Sequence, residues 1–182
     1  MLNAFQRLSL PESLVVDEDT LRAAFREAGR AGHPDSGGGD AAFAEIREAF
    51  DLLSSPSRRL KHWLELRGIA VDERGAIDAT LMGLFDKVGS ATQHAEAVVR
   101  RRDGAKSALV RAMLEGEVQQ ALVVLEETLR AVDAAIAHEC AALPLIADRG
   151  AADADLAARV LRHLRFLEKW RTSLRSLFPR LR

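Results

Sequence analysis

Tyrosine is missing from the 182 residues, cysteine occurs once, and the aromatics are 7 Phe and 2 Trp. The single thiol, Cys140, excludes an intramolecular disulfide and a cysteine-clustered zinc site. A reducing compartment follows as the expectation, and a cytoplasmic location with it. With so few aromatics, any core is mostly aliphatic. No run approaches the roughly 18 uncharged apolar residues that a membrane-spanning helix needs. No charged n-region followed by an apolar h-region is apparent at the amino end, so no signal peptide is expected. There is no Gly-rich phosphate loop of the Walker pattern and no convergent acid, base and nucleophile set. An enzyme is therefore the least expected class, and no cofactor or metal is expected.

What is present favours helix. The chain is 48% hydrophobic and 29% charged, and Ala, Leu, Arg and Glu, all strong helix formers, dominate it. An all-α fold is the expectation. The formal net charge of −1 hides an uneven spread: from Arg159 to Arg182 eight Lys or Arg face one acid, Glu168. Such a basic end could touch nucleic acid or an anionic membrane. Without interleaved aromatics it reads better as a solvated face beside acidic neighbours, with no nucleic acid and no membrane as partners.

The first half is punctuated by Arg30-Ala31-Gly32-His33-Pro34-Asp35-Ser36-Gly37-Gly38-Gly39. Pro34 pushes His33 out of the α region and three glycines oppose any regular element, so an exposed loop is predicted. Before it, a short helix near Phe5 and Leu8 is followed by Asp17, a cap for a helix with Leu21, Phe25 and Ala28 on one stripe. Arg22, Arg26 and Arg30 line a face beside that stripe. After it, Asp40 can cap a helix with Phe43, Ile46, Phe50 and Leu53 on one side. Ser55-Pro56 ends this helix and starts another, carrying Leu60, Trp63 and Leu64 up to a stop at Gly68.

His33, Pro34 and Asp35 do not make a catalytic or metal set; a rigid loop with one donor-acceptor ring, one carboxylate and nearby guanidinium groups suits recognition. This order of elements, with Phe5-Gln6-Arg7-Leu8, His33-Pro34-Asp35, Ile46 to Leu53 and Ser55-Pro56-Ser57-Arg58-Arg59, resembles the J-domain of co-chaperones. Gly32 and Ser36 stand where J-domains usually place an aromatic and a basic residue. The resemblance implies that His33, Pro34 and Asp35, with Arg22, Arg26 and Arg30, bind a DnaK-type ATPase chaperone and stimulate its hydrolysis of ATP.

In the second half, Ala70 to Ile77 reads as a linker. Asp78 can cap a helix whose apolar face is Leu81, Met82, Leu84, Phe85 and Val88. Gly89 is expected to interrupt it, and Asp103-Gly104 is a possible further break. Glu117 to Leu143 reads as a long helix with Val118, Leu122, Leu125, Leu129, Val132 and Ile136 on one stripe. Pro144 and Gly150 are expected to bracket a turn. A last helix carries Leu156, Val160, Leu161, Leu164, Leu167, Trp170, Leu174 and Leu177. An antiparallel three-helix bundle is predicted.

Leu81-Met82 followed by Phe85, and Leu161-Arg162-His163-Leu164-Arg165-Phe166-Leu167-Glu168-Lys169-Trp170, look like the carboxy-terminal bundle of HscB-type co-chaperones. The expected organisation is then a J-domain over 1–69, a linker over 70–77 and an HscB-like bundle over 78–182. The resemblance implies that Leu81, Met82, Phe85 and Phe166, with Asp86 as a polar companion, hold the iron–sulfur scaffold protein IscU and present it to the chaperone HscA. That family usually has further acidic residues after Phe85, where this chain has Lys87, Val88 and Gly89. Read without the resemblance, the same apolar residues are bundle core. The alternatives are a J-domain adaptor for another client or for self-association, and a basic helical protein that binds nucleic acid or membrane.

Overall fold

The computed structural model describes residues 2–31, 40–75 and 78–182. Every regular element among them is helical, as expected: α1 (Ala4–Arg7), α2 (Glu18–Ala31), α3 (Asp40–Ser54), α4 (Pro56–Leu66), α5 (Ala79–Asp103), α6 (Ala108–Cys140), α7 (Leu143–Arg149), a 3-10 turn (Gly150–Asp153) and α8 (Ala154–Leu181). The chain forms two compact units. One contains Met1–Glu73 and Cys140–Leu161; the other contains Arg74–Glu139 and Arg162–Arg182. Residues 140–161, expected in the bundle, belong instead to the first unit.

In the first unit, α1 is too short to persist on propensity alone. A capping box closes it: the Asn3 side chain accepts from the Gln6 N–H at 2.9 Å, and the Gln6 side chain accepts from the Asn3 N–H at 3.1 Å. Asp17 opens α2 by accepting from the Thr20 N–H at 3.0 Å and the Thr20 hydroxyl at 3.2 Å. Those two bonds, the backbone one foremost, hold its carboxyl below the ordinary 3.8. Phe5, Leu8, Leu21, Ala49 and Leu53 form the core between α1, α2 and α3, with Ile46 and Phe50 at its edge. Phe25 of α2 lies 4.5 Å from Phe50 and 6.4 Å from Phe43, ring centre to ring centre. Ser55 caps α4 through the Arg58 N–H at 3.2 Å, with Pro56 in the first turn, as the Ser-Pro pair predicts. Gly68 takes φ +64° just past α4, the left-handed stop that glycine accepts without strain.

The turn expected between Pro144 and Gly150 is a helix, α7. Pro144 lies in its first turn, where a missing N–H breaks no bond, and Leu143 and Ile146 are buried.

In the second unit, α5 runs unbroken through Gly89, against the expected interruption. An interior glycine costs a helix about 1 kcal/mol, less than the burial of Val88, Ala91 and Ala95 around it returns. Asp78 caps α5, accepting from the Thr80 and Leu81 N–H groups at 3.0 and 3.3 Å. The chain does break at Gly104, and α6 starts at Ala108, well before Glu117. The inner positions of α6 are Val118, Ala121, Leu125, Thr128, Val132 and Ile136. Leu122 and Leu129 are only half-buried, displaced by Ala121 and Thr128. The Thr128 hydroxyl is satisfied by donating to the Val124 carbonyl at 2.8 Å.

Contacts inside this unit fix the directions of its helices. Asp78, before α5, and Glu139, near the end of α6, both reach His163 of α8. At the other end Arg101 pairs with Glu117, and the Arg102 guanidinium donates to the Leu181 carbonyl and, at 2.6 Å, to that of Arg180. α5 and α8 therefore run the same way and α6 runs against them.

Candidate functional site

The expected sites fall on separate elements. His33, Pro34 and Asp35 lie outside the described residues, together with Gly32 and Ser36. The helix that leads to them is described. Arg22, Arg26 and Arg30 are all exposed on α2, on the side away from buried Leu21. Arg22 pairs with Glu18 and Arg30 with Glu27 at 3.1 Å. Exposed pairs of this kind hold little energy and open readily for a competing carboxylate.

α4 uses a neighbouring cation differently. Arg59 is buried; its Nε donates to the Leu14 carbonyl at 3.0 Å and its Nη1 to the Leu53 carbonyl at 2.5 Å. It ties the loop before α2 to the end of α3. The Arg67 guanidinium lies 3.9 Å over the Trp63 ring, and Arg67 also pairs with Glu12 at 3.6 Å.

In the second unit the bundle-face residues separate within a single turn of helix. Leu81 is 4% exposed and sits in the core, while Met82 and Phe85 are each 45% exposed. Phe85 lies 5.9 Å from the ring of Trp170, and Phe166 lies 6.2 Å from the same ring. Phe85 and half-buried Phe166 therefore both pack on a nearly buried Trp170, and Met82 is exposed one turn before Phe85 on α5. Asp86 and Lys87 follow Phe85 on α5, and Arg165 and Lys169 are exposed on α8. Trp170 was read from the sequence only as part of the last helix's apolar face; that it braces Phe85 and Phe166 was not, and its spacing from Phe166, i to i+4, was the available signal.

Below this face is a charge cluster that sequence did not single out. His163 is buried, with Nδ1 2.9 Å from Glu139 Oε1 and Nε2 2.9 Å from Asp78 Oδ2. Both ring nitrogens lie within hydrogen-bond distance of carboxylate oxygens. Burial pushes the Asp78 carboxyl up, but the His163 charge and the N–H groups of Leu81 and Thr80 outweigh it, leaving the carboxyl below 3.8. The cluster joins the three helices at one end of the bundle and fixes the base on which Met82 and Phe85 stand. His163 shares the inward stripe of Val160, Leu164 and Leu167, which marks it as an inward histidine.

Among the described residues no group of three or more His, Cys, Asp or Glu could hold a metal ion, and no helix is long and apolar enough to cross a membrane. On the basic carboxy-terminal stretch, Arg171 and Arg175 lie 3.8 and 4.0 Å from Asp133.

No family model matches the chain. Two curated relatives do, both named co-chaperone protein HscB homolog: the Shewanella baltica protein, 32% identical over 77 residues, and the Shewanella oneidensis protein, 31% identical over 77 residues. Each match covers 37% of this chain and 44% of the relative, so the chain spans less than half the length of these relatives. The solved structure of chaperone HscB from Vibrio cholerae superposes over 100% of both chains with a TM-score of 0.59 at 20% identity. The chain is HscB-like in sequence and in fold. The HscB-like fold covers both units, whereas the likeness in sequence is partial. The Met82, Phe85 and Phe166 face is thus part of an HscB-like bundle.

Proposed function

We infer that this protein is a non-enzymatic J-domain co-chaperone acting in iron–sulfur cluster assembly. In this reading His33, Pro34 and Asp35, steered by Arg22, Arg26 and Arg30, engage a DnaK- or HscA-type chaperone and stimulate its ATPase. The bundle presents the cluster scaffold protein, of the IscU type, through Met82, Phe85 and Phe166, with Asp86 at the edge. Leu81 supports that face from within the core. The protein needs no cofactor of its own and works in the cytoplasm.

The observation that carries the reading is the outward apolar face braced on Trp170 in an HscB-like bundle. Two large apolar side chains, each 45% exposed, stand beside a third where burial was available to the neighbouring Leu81. Apolar groups held at a surface in this way suit a partner's apolar side chain. Lys87, exposed beside Phe85 where the HscB-type proteins usually carry acids, favours a second reading in which the client is a different protein.

The test is steady-state ATPase of a DnaK-type chaperone from the same cell, with this protein alone and then with scaffold. Stimulation that rises further with scaffold is expected. His33→Gln is expected to remove all stimulation with the fold unchanged. Met82→Ala with Phe85→Ala is expected to remove only the scaffold-dependent part. Full stimulation by His33→Gln would sink the first half of the reading. Stimulation indifferent to scaffold would leave the J-domain role and favour the second client.

A further inference from the structure

The aromatic contact between α5 and α8 has a charge on each of its outer edges. Phe85 of α5 lies 5.9 Å from the Trp170 ring, and Phe166 lies 6.2 Å from it. At about 100° per residue, Phe85, Met82 and Asp86 follow one another around α5 at roughly 40°, 100° and 140° from buried Leu81. On α8, Phe166 and Lys169 lie roughly 40° and 100° to one side of Trp170, and Arg171 and Arg175 roughly 100° and 140° to the other. That other side belongs to α6, because Asp133 lies 3.8 and 4.0 Å from Arg171 and Arg175. Lys169 is therefore beyond Phe166, on the side that α6 does not cover. Across the two helices the order is Asp86, Met82, Phe85, Trp170, Phe166, Lys169.

Both edge charges are exposed, and neither side chain has an ion pair or hydrogen bond among the described residues. Each stands one residue, about 1.5 Å of helical rise, from the Phe85–Trp170 contact, so the two flank it at the same height. The fold uses Arg171 and Arg175 of α8 within the bundle and leaves Lys169 for another molecule. A surface of a single charge sign, such as a nucleic acid or an anionic membrane, would be repelled at one edge. A protein segment that carries an apolar side chain between an acid and a base meets attraction at both.

We propose that Lys169 determines client specificity. It receives a carboxylate of the client while Asp86 receives a cation, and the apolar side chain between them rests on Phe85 and Phe166. Lys169 has this role only if the bundle holds a client as inferred above. The pair of edge charges gives the docked client a direction: turned through half a rotation on the face, it would place like charges together at both edges. The effect falls on selectivity and encounter more than on affinity, because an exposed ion pair is screened by water and salt.

Titration calorimetry of the purified cluster scaffold protein from the same cell into the full chain tests this. Lys169→Gln is expected to raise the Kd about threefold and Lys169→Glu about tenfold, since the second sets a carboxylate against a carboxylate. Lys169→Arg should bind as the wild type does. Lys106→Glu makes the same change of net charge at the opposite end of the bundle and should leave the Kd where it is. Between low and moderate salt the wild-type Kd should rise more steeply than that of Lys169→Gln. Among scaffold variants with single exposed acids changed to Lys, one should restore binding to Lys169→Glu. Unchanged helical circular dichroism controls for folding. Binding by Lys169→Glu at the wild-type level overturns the role of Lys169 and leaves the apolar face in place. So does an equal loss in Lys106→Glu, which would mark net charge alone. A wild-type chain that does not bind scaffold overturns the client reading, and this role with it.

Discussion

Two helices of the first unit are rich in arginine and use it in opposite ways. On α2, Arg22, Arg26 and Arg30 stand in solvent, and the two with described pairs hold them to acids of the same helix. On α4, Arg59 turns inward and satisfies two backbone carbonyls that belong to other segments. The chemistry of the guanidinium is identical in both. What differs is whether the fold leaves buried acceptors without a partner: where it does, the cation is structural, and where it does not, it stays available to another molecule. The bundle repeats the lesson with apolar groups, since Leu81 is core and its neighbour Met82 is surface.

The contrast breaks if inward and outward residues prove equally costly to remove. The largest loss is expected for His163→Leu, which leaves Glu139 and Asp78 facing each other without the imidazole. A destabilisation of about 4 kcal/mol in urea unfolding is expected. Arg59→Ala and Leu81→Ala should each cost about 3 kcal/mol. Arg26→Ala and Met82→Ala should stay within about 0.5 kcal/mol while lowering, respectively, chaperone stimulation and client capture. A destabilising Met82→Ala would move that residue into the core and remove the outward face.

A pH series sharpens the comparison at smaller amplitude. Asp17 and Asp78 are both held below 3.8 in the folded chain. The unfolded chain therefore binds their protons more tightly than the folded one. Their contribution is whole above 3.8 and drains away as pH falls through the lower folded values. The acid limb of the urea midpoint should be shallower in Asp17→Asn and Asp78→Asn; an unaltered limb would contradict the assigned caps. Smallest of all, Arg22→Ala should change stability by no more than about 0.5 kcal/mol, because its pair with Glu18 is exposed and local.

Local chemistry was legible in the sequence where one or two residues decide it. Asp17, Ser55-Pro56 and Asp78 announce helix starts because a side-chain acceptor or a missing N–H acts within three residues. Gly89 misleads because its local cost is outweighed by burial that only the folded bundle supplies. Pro144 misleads because a first-turn proline and a loop proline look alike in sequence. The start of α6 at Ala108 is hidden by a stripe that faces outward, so the apolar period of the inner face appears only from Val118. Of the bundle-face residues, spacing could not separate Leu81 from Met82, since adjacent positions differ by only 100° around the axis. Arg59 is as silent: Ser57-Arg58-Arg59 does not say which arginine finds the leftover carbonyls.

The division of the chain into units has a consequence for how it is made. The first unit takes residues Met1–Glu73 and then Cys140–Leu161, and the second takes Arg74–Glu139 and then Arg162–Arg182. On a ribosome that releases the chain from the amino end, the two units share one waiting period. The α1–α3 core can collapse early, but the first unit lacks its later segment until α7 and the start of α8 have emerged. The second unit lacks its closing helix, and the imidazole between Glu139 and Asp78, until nearly the whole chain is out. A premature stop near residue 160 would therefore leave the first unit all but complete and the second without its α8 segment.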